Sequence, residues 1–146
     1  MVMRRGLAVL ASGLLAATAC MPANSQGGSG PTARVVRGTV GFALPAYEAC
    51  WNTCFSMDAH AAIAQAHTAT LEVPTGDRLL VHFDRPPSRC SVTYEDQSGI
   101  SVSIIAQLEK SDLTFLADLA PAAYLYRVIC RWSNGSAGYL LPTLIT

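Results

Sequence analysis

Charge is scarce in this chain, and long hydrophobic runs are absent beyond its N-terminal segment. Of 146 residues 14% are charged, and ten basic side chains balance ten acidic ones. So low a charged fraction argues against a disordered chain. Zero net charge argues against a nucleic-acid binder, which carries a basic excess. Past the N-terminus no run reaches the ~20 apolar residues of a membrane-spanning helix. We therefore expect one folded domain that does not bind nucleic acid.

Motifs that carry catalysis are also missing. The chain has no Gly-x-Ser-x-Gly, no His-Glu-x-x-His and no glycine-rich phosphate loop. Its carboxylates show no pairing that would favour general acid–base catalysis, and Glu95-Asp96 have the surroundings of a loop after a strand. We therefore expect a protein that is not an enzyme and that holds no cofactor.

The N-terminus has the layout of a secretory signal. Arg4 and Arg5 precede a stretch of small apolar residues over 6–19, and no acidic residue occurs before Glu48. The apolar stretch is too short for a stop-transfer helix. We therefore predict that residues 1–19 are a signal peptide and that the protein lies outside the cytoplasm.

The signal ends at a cysteine, in the order Ala17-Thr18-Ala19-Cys20. Small residues directly before a cysteine resemble a bacterial lipobox, although lipoboxes most often carry Leu where this chain has Ala17. This interpretation makes Cys20 the lipidated first residue, with palmitate-type chains holding the protein to the bacterial cell membrane or outer membrane. The alternative is an ordinary Ala-x-Ala cleavage site and a secreted or periplasmic soluble protein.

The number of cysteines favours lipidation. Five is an odd number, and assigning Cys20 to lipid leaves four, enough for two disulfides in an oxidising compartment. Cys50 and Cys54 are separated by a short loop that closes at little entropic cost. Cys90 and Cys130 each lie on the apolar phase of a predicted strand and can meet in the interior. We therefore predict the pairs Cys50–Cys54 and Cys90–Cys130.

Composition divides the remainder into a linker and a domain. Residues 20–33 are rich in Gly, Ser and Pro, which predicts a flexible, lipid-anchored linker. Residues 34–146 show short strand patterns separated by turn signals, typical of a β-sandwich. One short helix is expected over 59–67, capped by Asp58. The predicted strands cover 35–42, 69–73, 78–83, 90–95, 100–108, 113–116, 124–132 and 138–145.

The last two strands are predicted to form a hairpin around Asn134-Gly135, a pair that suits a type I′ turn. That turn would pair Trp132 with Ala137 and Cys130 with Tyr139. Because side chains alternate along a strand, one set would face the core (Tyr126, Val128, Cys130 and Trp132) and the other set the solvent (Arg127 and Arg131).

Residues 119–124 resemble the corner that precedes strand F in immunoglobulin-like and fibronectin III-like domains. In that corner the tyrosine hydroxyl bonds to upstream backbone. Tyr124 would play this role here, and the alternative is an ordinary strand tyrosine. The expected fold class is therefore an all-β immunoglobulin-like or fibronectin III-like sandwich with one short helix.

One cluster is dense in soft ligands: Cys50, Cys54, Met57 and His60. A copper or zinc site would need these side chains to converge on one ion, and a reactive dithiol would need free thiols. A structural disulfide explains the two cysteines more simply, so no metal site is predicted. A copper- or thiol-handling envelope protein remains the alternative function.

The domain resembles a group of uncharacterised bacterial envelope proteins. They share a Cys-Trp element with a second Cys and an Asp, then a strand ending in Phe, and a closing pattern of Tyr, Val, Trp, Gly and Tyr. The matching positions are Cys50, Trp51, Cys54, Asp58, Phe83, Pro86, Pro87, Tyr124, Tyr126, Val128, Trp132, Gly135 and Tyr139. The resemblance implies an immunoglobulin-like fold and an envelope location, and no activity.

Together these observations predict a lipid-anchored, non-catalytic module that binds or organises something at the envelope. Its expected partners are the membrane, through the N-terminal lipid, and an envelope protein of unknown identity.

Overall fold

The computed structural model describes residues 30–146, so the predicted signal, Cys20 and most of the linker lie outside the described residues. Within the described range the chain forms twelve strands and one short helix. No helix in this range is long and apolar enough to cross a membrane. The elements are β1 (Ala33–Arg37), β2 (Val40–Ala43), β3 (Ala46–Cys50), β4 (Cys54–Ser56), α1 (Ala59–Gln65), β5 (Leu71–Val73), β6 (Arg78–Phe83), β7 (Arg89–Glu95), β8 (Ser101–Ile104), β9 (Ala106–Glu109), β10 (Asp112–Leu116), β11 (Ala122–Trp132) and β12 (Gly135–Ile145).

The strands form two sheets. The five-stranded sheet has the order β2-β1-β6-β10-β9, and the seven-stranded sheet has the order β4-β3-β12-β11-β7-β8 with β5 added beside β12. The strand pairs are antiparallel except that β5 runs parallel to the end of β12. Two packed sheets confirm the predicted all-β sandwich.

The core lies between the sheets because their strands alternate between inward and outward side chains. On β6 the inward set is Leu79, Val81 and Phe83, all with no exposed surface. From the opposite sheet β11 contributes a matching buried set: Tyr126, Val128, Cys130 and Trp132. The inward and outward faces of β11 are those predicted from its alternation.

Several predicted elements differ from the observed ones. The single strand expected over 35–42 is a hairpin, because Gly38 adopts a φ of +59° and turns the chain between β1 and β2. The β3–β4 hairpin was not predicted, and helix α1 ends at Gln65 rather than at residue 67. Asp58 caps this helix as expected, its carboxylate accepting the Ala61 N–H at 3.1 Å. The first strand begins at Ala33, one residue before the predicted start of the domain.

The register predicted for the last hairpin is wrong. Trp132 pairs with Gly135 and Cys130 with Ala137, so the two-residue loop is Ser133-Asn134. A Cβ atom on Gly135 would clash with the Cys50 carbonyl oxygen and with the Trp51 ring. Gly135 is therefore needed where β3 and Trp51 approach β12, and not for a positive φ in the turn. The observed register differs from the predicted one by two residues, so each side chain stays on the predicted face of the sheet.

The tyrosine corner is present. The Tyr124 hydroxyl donates to the carbonyl oxygen of Ala120 at 2.8 Å. This bond closes the loop that leads into β11, as the resemblance of residues 119–124 predicted.

Both predicted disulfides are present, Cys50–Cys54 and Cys90–Cys130. Each joins residues that lie directly opposite one another on neighbouring strands, with Cα atoms 4.1 Å apart. Cys130 is fully buried, whereas Cys54 is exposed on the edge strand β4. One bridge therefore lies in the core and the other at the rim of the same sheet.

Removing the two disulfides should have unequal effects on stability. In the chain-entropy model the 40-residue separation of Cys90 and Cys130 corresponds to about 4 kcal/mol, and the short Cys50–Cys54 loop to about 2 kcal/mol. Chemical denaturation of the Cys90→Ala/Cys130→Ala and Cys50→Ala/Cys54→Ala chains measures the two losses. Equal losses would contradict the argument from loop length.

Candidate functional site

The sandwich has two ends that differ in what they carry. One end holds the first described residue, Gly30, and the turns at 51–53, 84–88, 110–111 and 133–134; we call it the tether end. The opposite end, called the far end, holds the turns at 38–39, 74–77, 96–100 and 117–121. Strands β6 and β11 run between the two ends, so each carries residues of both.

A cavity of about 430 Å³ opens between the two sheets at the far end. The chain passes there from β8 in one sheet to β9 in the other through a single residue, Ile105, which is 91% exposed. Leu116, at the end of β10, is 50% exposed on the other wall. The apolar lining of this cavity, named here the Tyr126 cavity, is Ile104, Ile105, Phe115, Leu116, Leu119 and Tyr126.

Tyr126 is the unusual member of this lining. Its side chain comes from β11, has no exposed surface, and packs against the Phe115 ring of the opposite sheet at a centroid distance of 5.1 Å. Its hydroxyl is buried and has no hydrogen-bond partner in the described part of the chain. Among residues 30–146 it is the only buried side-chain oxygen or nitrogen in this state. Buried polar atoms are nearly always paired, so this one requires an explanation.

Burial also changes the acidity of Tyr126. Desolvation, with smaller contributions from Tyr124 and Tyr94, raises the pKa of Tyr126 to about 12. Like an ordinary tyrosine, the phenol is neutral at physiological pH and can donate its proton in a hydrogen bond.

The charged groups of the Tyr126 cavity lie only at its rim. Arg78 and Asp118 line the cavity, and both residues are exposed. Their charges are opposite, so the apolar interior faces no net charge. The apolar part of the lining suits a neutral molecule with an apolar body.

A larger cavity of about 550 Å³ lies beside the edge strand β2. Its walls include Phe42, Leu44 and Leu71, and the loop after α1 closes one side with His67. Nothing in this cavity corresponds to the unpaired Tyr126 hydroxyl. The geometry therefore favours the Tyr126 cavity as the functional site.

The predicted soft-ligand cluster does not converge. The sulfur atoms of Cys50 and Cys54 are joined to each other, and Met57 packs against the small core that contains Tyr47, Ala59, Ala62 and Leu140. His60 is exposed and lines a different groove, beside Ile63 and Glu95. Within residues 30–146, no group of three or more His, Cys, Asp or Glu side chains is placed to hold a metal ion.

Sequence reasoning placed Tyr126 in the core but did not identify it as functional. The available signal was the inward phase of β11, which put a side chain with a polar tip among Val128, Cys130 and Trp132. That signal cannot show whether the hydroxyl finds a partner, because the partner would come from another strand.

Comparison with known proteins adds little. No family model and no curated protein matches the chain. Among solved structures the chain is similar to a lytic polysaccharide monooxygenase from Jonesia denitrificans, determined by neutron crystallography, with a TM-score of 0.41 and 14% sequence identity. The match covers 67% of this chain and 77% of the other. A similarity of this size carries no conclusion about activity.

We expect the protein to lose stability in alkali. Burial raises the pKa of Tyr47, Tyr126 and Tyr139 above the ~10 of an unfolded tyrosine. A raised folded pKa contributes stability that is complete below pH ~10 and is lost as the pH rises through the folded value. Between pH ~10 and ~12 the Tyr126→Phe chain should therefore lose on the order of 2 kcal/mol less than the wild type. Denaturant titrations across this range measure the difference, and parallel curves would contradict it.

Proposed function

We propose that this chain is a lipid-anchored, extracytoplasmic β-sandwich module that binds a small, neutral, apolar molecule in the Tyr126 cavity. The proposal includes a non-catalytic role. The single observation that carries it is the buried hydroxyl of Tyr126, which has no partner in the described part of the chain and belongs to a residue that lines the cavity.

The energetic cost of that hydroxyl supports a ligand. A buried donor without an acceptor costs about 1–3 kcal/mol. Phenylalanine at this position would avoid the cost and keep the contact with Phe115. A ligand with a carbonyl or ether oxygen would accept the hydrogen bond and convert the cost into affinity.

Size and polarity restrict the class of ligand. A cavity of about 430 Å³ lies within the ~300–1,000 Å³ of small-molecule sites. The apolar lining favours an aromatic or branched aliphatic body. A charged ligand would leave its charge unpaired among Phe115, Leu119 and Ile104, and burial of an unpaired charge is strongly unfavourable.

The extracytoplasmic part of the proposal draws on the sequence and on the disulfides. Disulfides persist in oxidising compartments, and the two in this domain use all four cysteines that follow Cys20. Cys20 then remains as the single cysteine available to lipid, at the end of a signal-like segment.

Binding of prodan tests the cavity. Prodan is a neutral naphthalene with one ketone, and its emission reports both polarity and hydrogen bonding. We expect the wild-type chain to bind it and the Tyr126→Phe chain to bind it about 2- to 12-fold more weakly, the range of one neutral hydrogen bond. The emission of prodan bound to Tyr126→Phe should also shift to shorter wavelength, because its ketone no longer accepts a bond.

Tyr124→Phe is the matched control for this experiment. Tyr124 lies two positions along β11 and its hydroxyl already donates to Ala120. This variant should lose stability, on the order of 1 kcal/mol, and keep its affinity for prodan. Equal affinity and identical emission of prodan in wild type and Tyr126→Phe would refute the proposed site.

Lipidation of Cys20 has a separate test. Metabolic labelling with a radioactive fatty acid should mark the wild-type chain and leave Cys20→Ala unlabelled, because no other cysteine follows the signal-like segment directly. Labelling of both chains to the same extent would exclude Cys20 as the modified residue.

A further inference from the structure

Arg89 and Arg131 lie directly opposite one another on β7 and β11 at the tether end. Both are exposed and both point to the outer face of the seven-stranded sheet. Like charges in directly opposed positions destabilise a sheet. The ion pairs of residues 30–146 join Arg37 to Asp77, His82 to Asp112 and Arg127 to Glu95, and none includes either of these two arginines.

No acid of residues 30–146 forms an ion pair with Arg89 or Arg131. At the same end of the domain, Asp84 accepts the backbone N–H of Thr32, and Asp112 is hydrogen-bonded to His82. The N-terminal segment cannot supply an acid either, because residues 1–47 contain no Asp or Glu. Two adjacent arginines without an acid partner favour an external anion.

Aromatic residues accompany the arginines. Trp51 is partly exposed, packs against Trp132 at a centroid distance of 5.6 Å, and has the guanidinium carbon of Arg85 5.7 Å from its ring centroid. These two tryptophans are the only ones in the chain. Tryptophan side chains favour the boundary between water and lipid.

The start of the domain places this end close to the proposed anchor. Pro31 is buried, and its carbonyl oxygen accepts the Tyr139 hydroxyl at 2.6 Å. Ten residues of sequence lead from Cys20 to Gly30, and a chain of that length can extend at most about 33–36 Å. A lipid on Cys20 would therefore keep the tether end within reach of phospholipid headgroups.

We propose that the tether end docks on anionic phospholipid headgroups, with Arg89 and Arg131 binding phosphate and Trp51 entering the interface. This inference rests on the proposed anchoring at Cys20. Docking of the tether end would also orient the domain, because it would turn the Tyr126 cavity at the far end away from the membrane.

The test uses the full chain, extracted from the envelope in detergent and reconstituted into phosphatidylcholine vesicles containing brominated lipid, with or without phosphatidylglycerol. Bromine quenches tryptophan at short range, and both tryptophans report on the tether end. We expect quenching that requires phosphatidylglycerol and that disappears in high salt. In Arg89→Gln/Arg131→Gln the ratio of docked to undocked domains should fall about 30-fold, from the usual contribution of two basic residues near an anionic surface.

Arg127→Gln is the control for the double variant, since it removes a positive charge from the same strand and the same face as Arg131. Arg127 is already paired with Glu95 at 3.0 Å, so this variant should be quenched like the wild type. The double variant should melt no lower than the wild type because it relieves repulsion. Equal quenching of the double variant and the wild type, or quenching without phosphatidylglycerol, would overturn the proposal.

A separate measurement distinguishes failure of docking from failure of anchoring. Flotation with vesicles of phosphatidylcholine alone reports the lipid on Cys20, because these vesicles offer no anionic headgroup. A chain that floats but shows no quenching dependent on the arginines would retain the anchor and refute docking. A chain that does not float would refute the anchor.

Discussion

The pairing of β11 with β12 is the interaction on which the rest of the structure depends. Eleven residue pairs join Ala122–Trp132 to Gly135–Ile145 along the full length of both strands. Strand β7 adds to one side of this pair, and β3 and β5 add to the other. The inner face of β11 supplies Tyr126, Val128, Cys130 and Trp132 to the core. The middle of β11 also supplies Tyr126 to the cavity, and the end of β11 supplies Arg131 to the tether end; the two residues lie about 17 Å apart at the usual rise per residue.

The alternation of apolar and charged side chains made the faces of this hairpin predictable from the sequence. It did not predict the register of the hairpin. The pattern of Val128, Cys130 and Trp132 against Arg127 and Arg131 has the period of a strand and needs no knowledge of the partner. The register depends on Gly135, and the reason for that glycine lies in β3. The loop must leave Gly135 beside the Cys50 carbonyl and the Trp51 ring, where any Cβ would overlap. A rule for Asn-Gly turns contains no information about that contact.

The disulfides could likewise be predicted from the sequence, whereas the β3–β4 hairpin and the Tyr126 cavity could not. Cys90 and Cys130 could be paired from sequence because each lies on the apolar phase of a strand and only three pairings of four cysteines exist. The β3–β4 hairpin was missed because its strands are short and carry Ala and Glu where β-branched residues would signal a strand. The Tyr126 cavity was missed because it results from where the two sheets stop covering one another, at Ile105 and Leu116. An unpaired hydroxyl is a property of all the surrounding strands together.

The two proposals assign different roles to the two ends of the domain. The tether end carries Arg89, Arg131 and both tryptophans, and the far end carries the Tyr126 cavity. A module of this shape would hold its ligand site away from the membrane while remaining attached to it. The proposed binding role and the proposed orientation therefore support one another, although they depend on different residues.

A crystal structure of the chain grown with prodan shows directly whether the Tyr126 hydroxyl binds a ligand. We expect prodan between the sheets at the far end, with its ketone oxygen about 2.6–3.0 Å from the Tyr126 hydroxyl oxygen, the usual range for such a bond. A structure in which the Tyr126 hydroxyl donates to a protein acceptor, with no ligand in the cavity, would contradict this expectation.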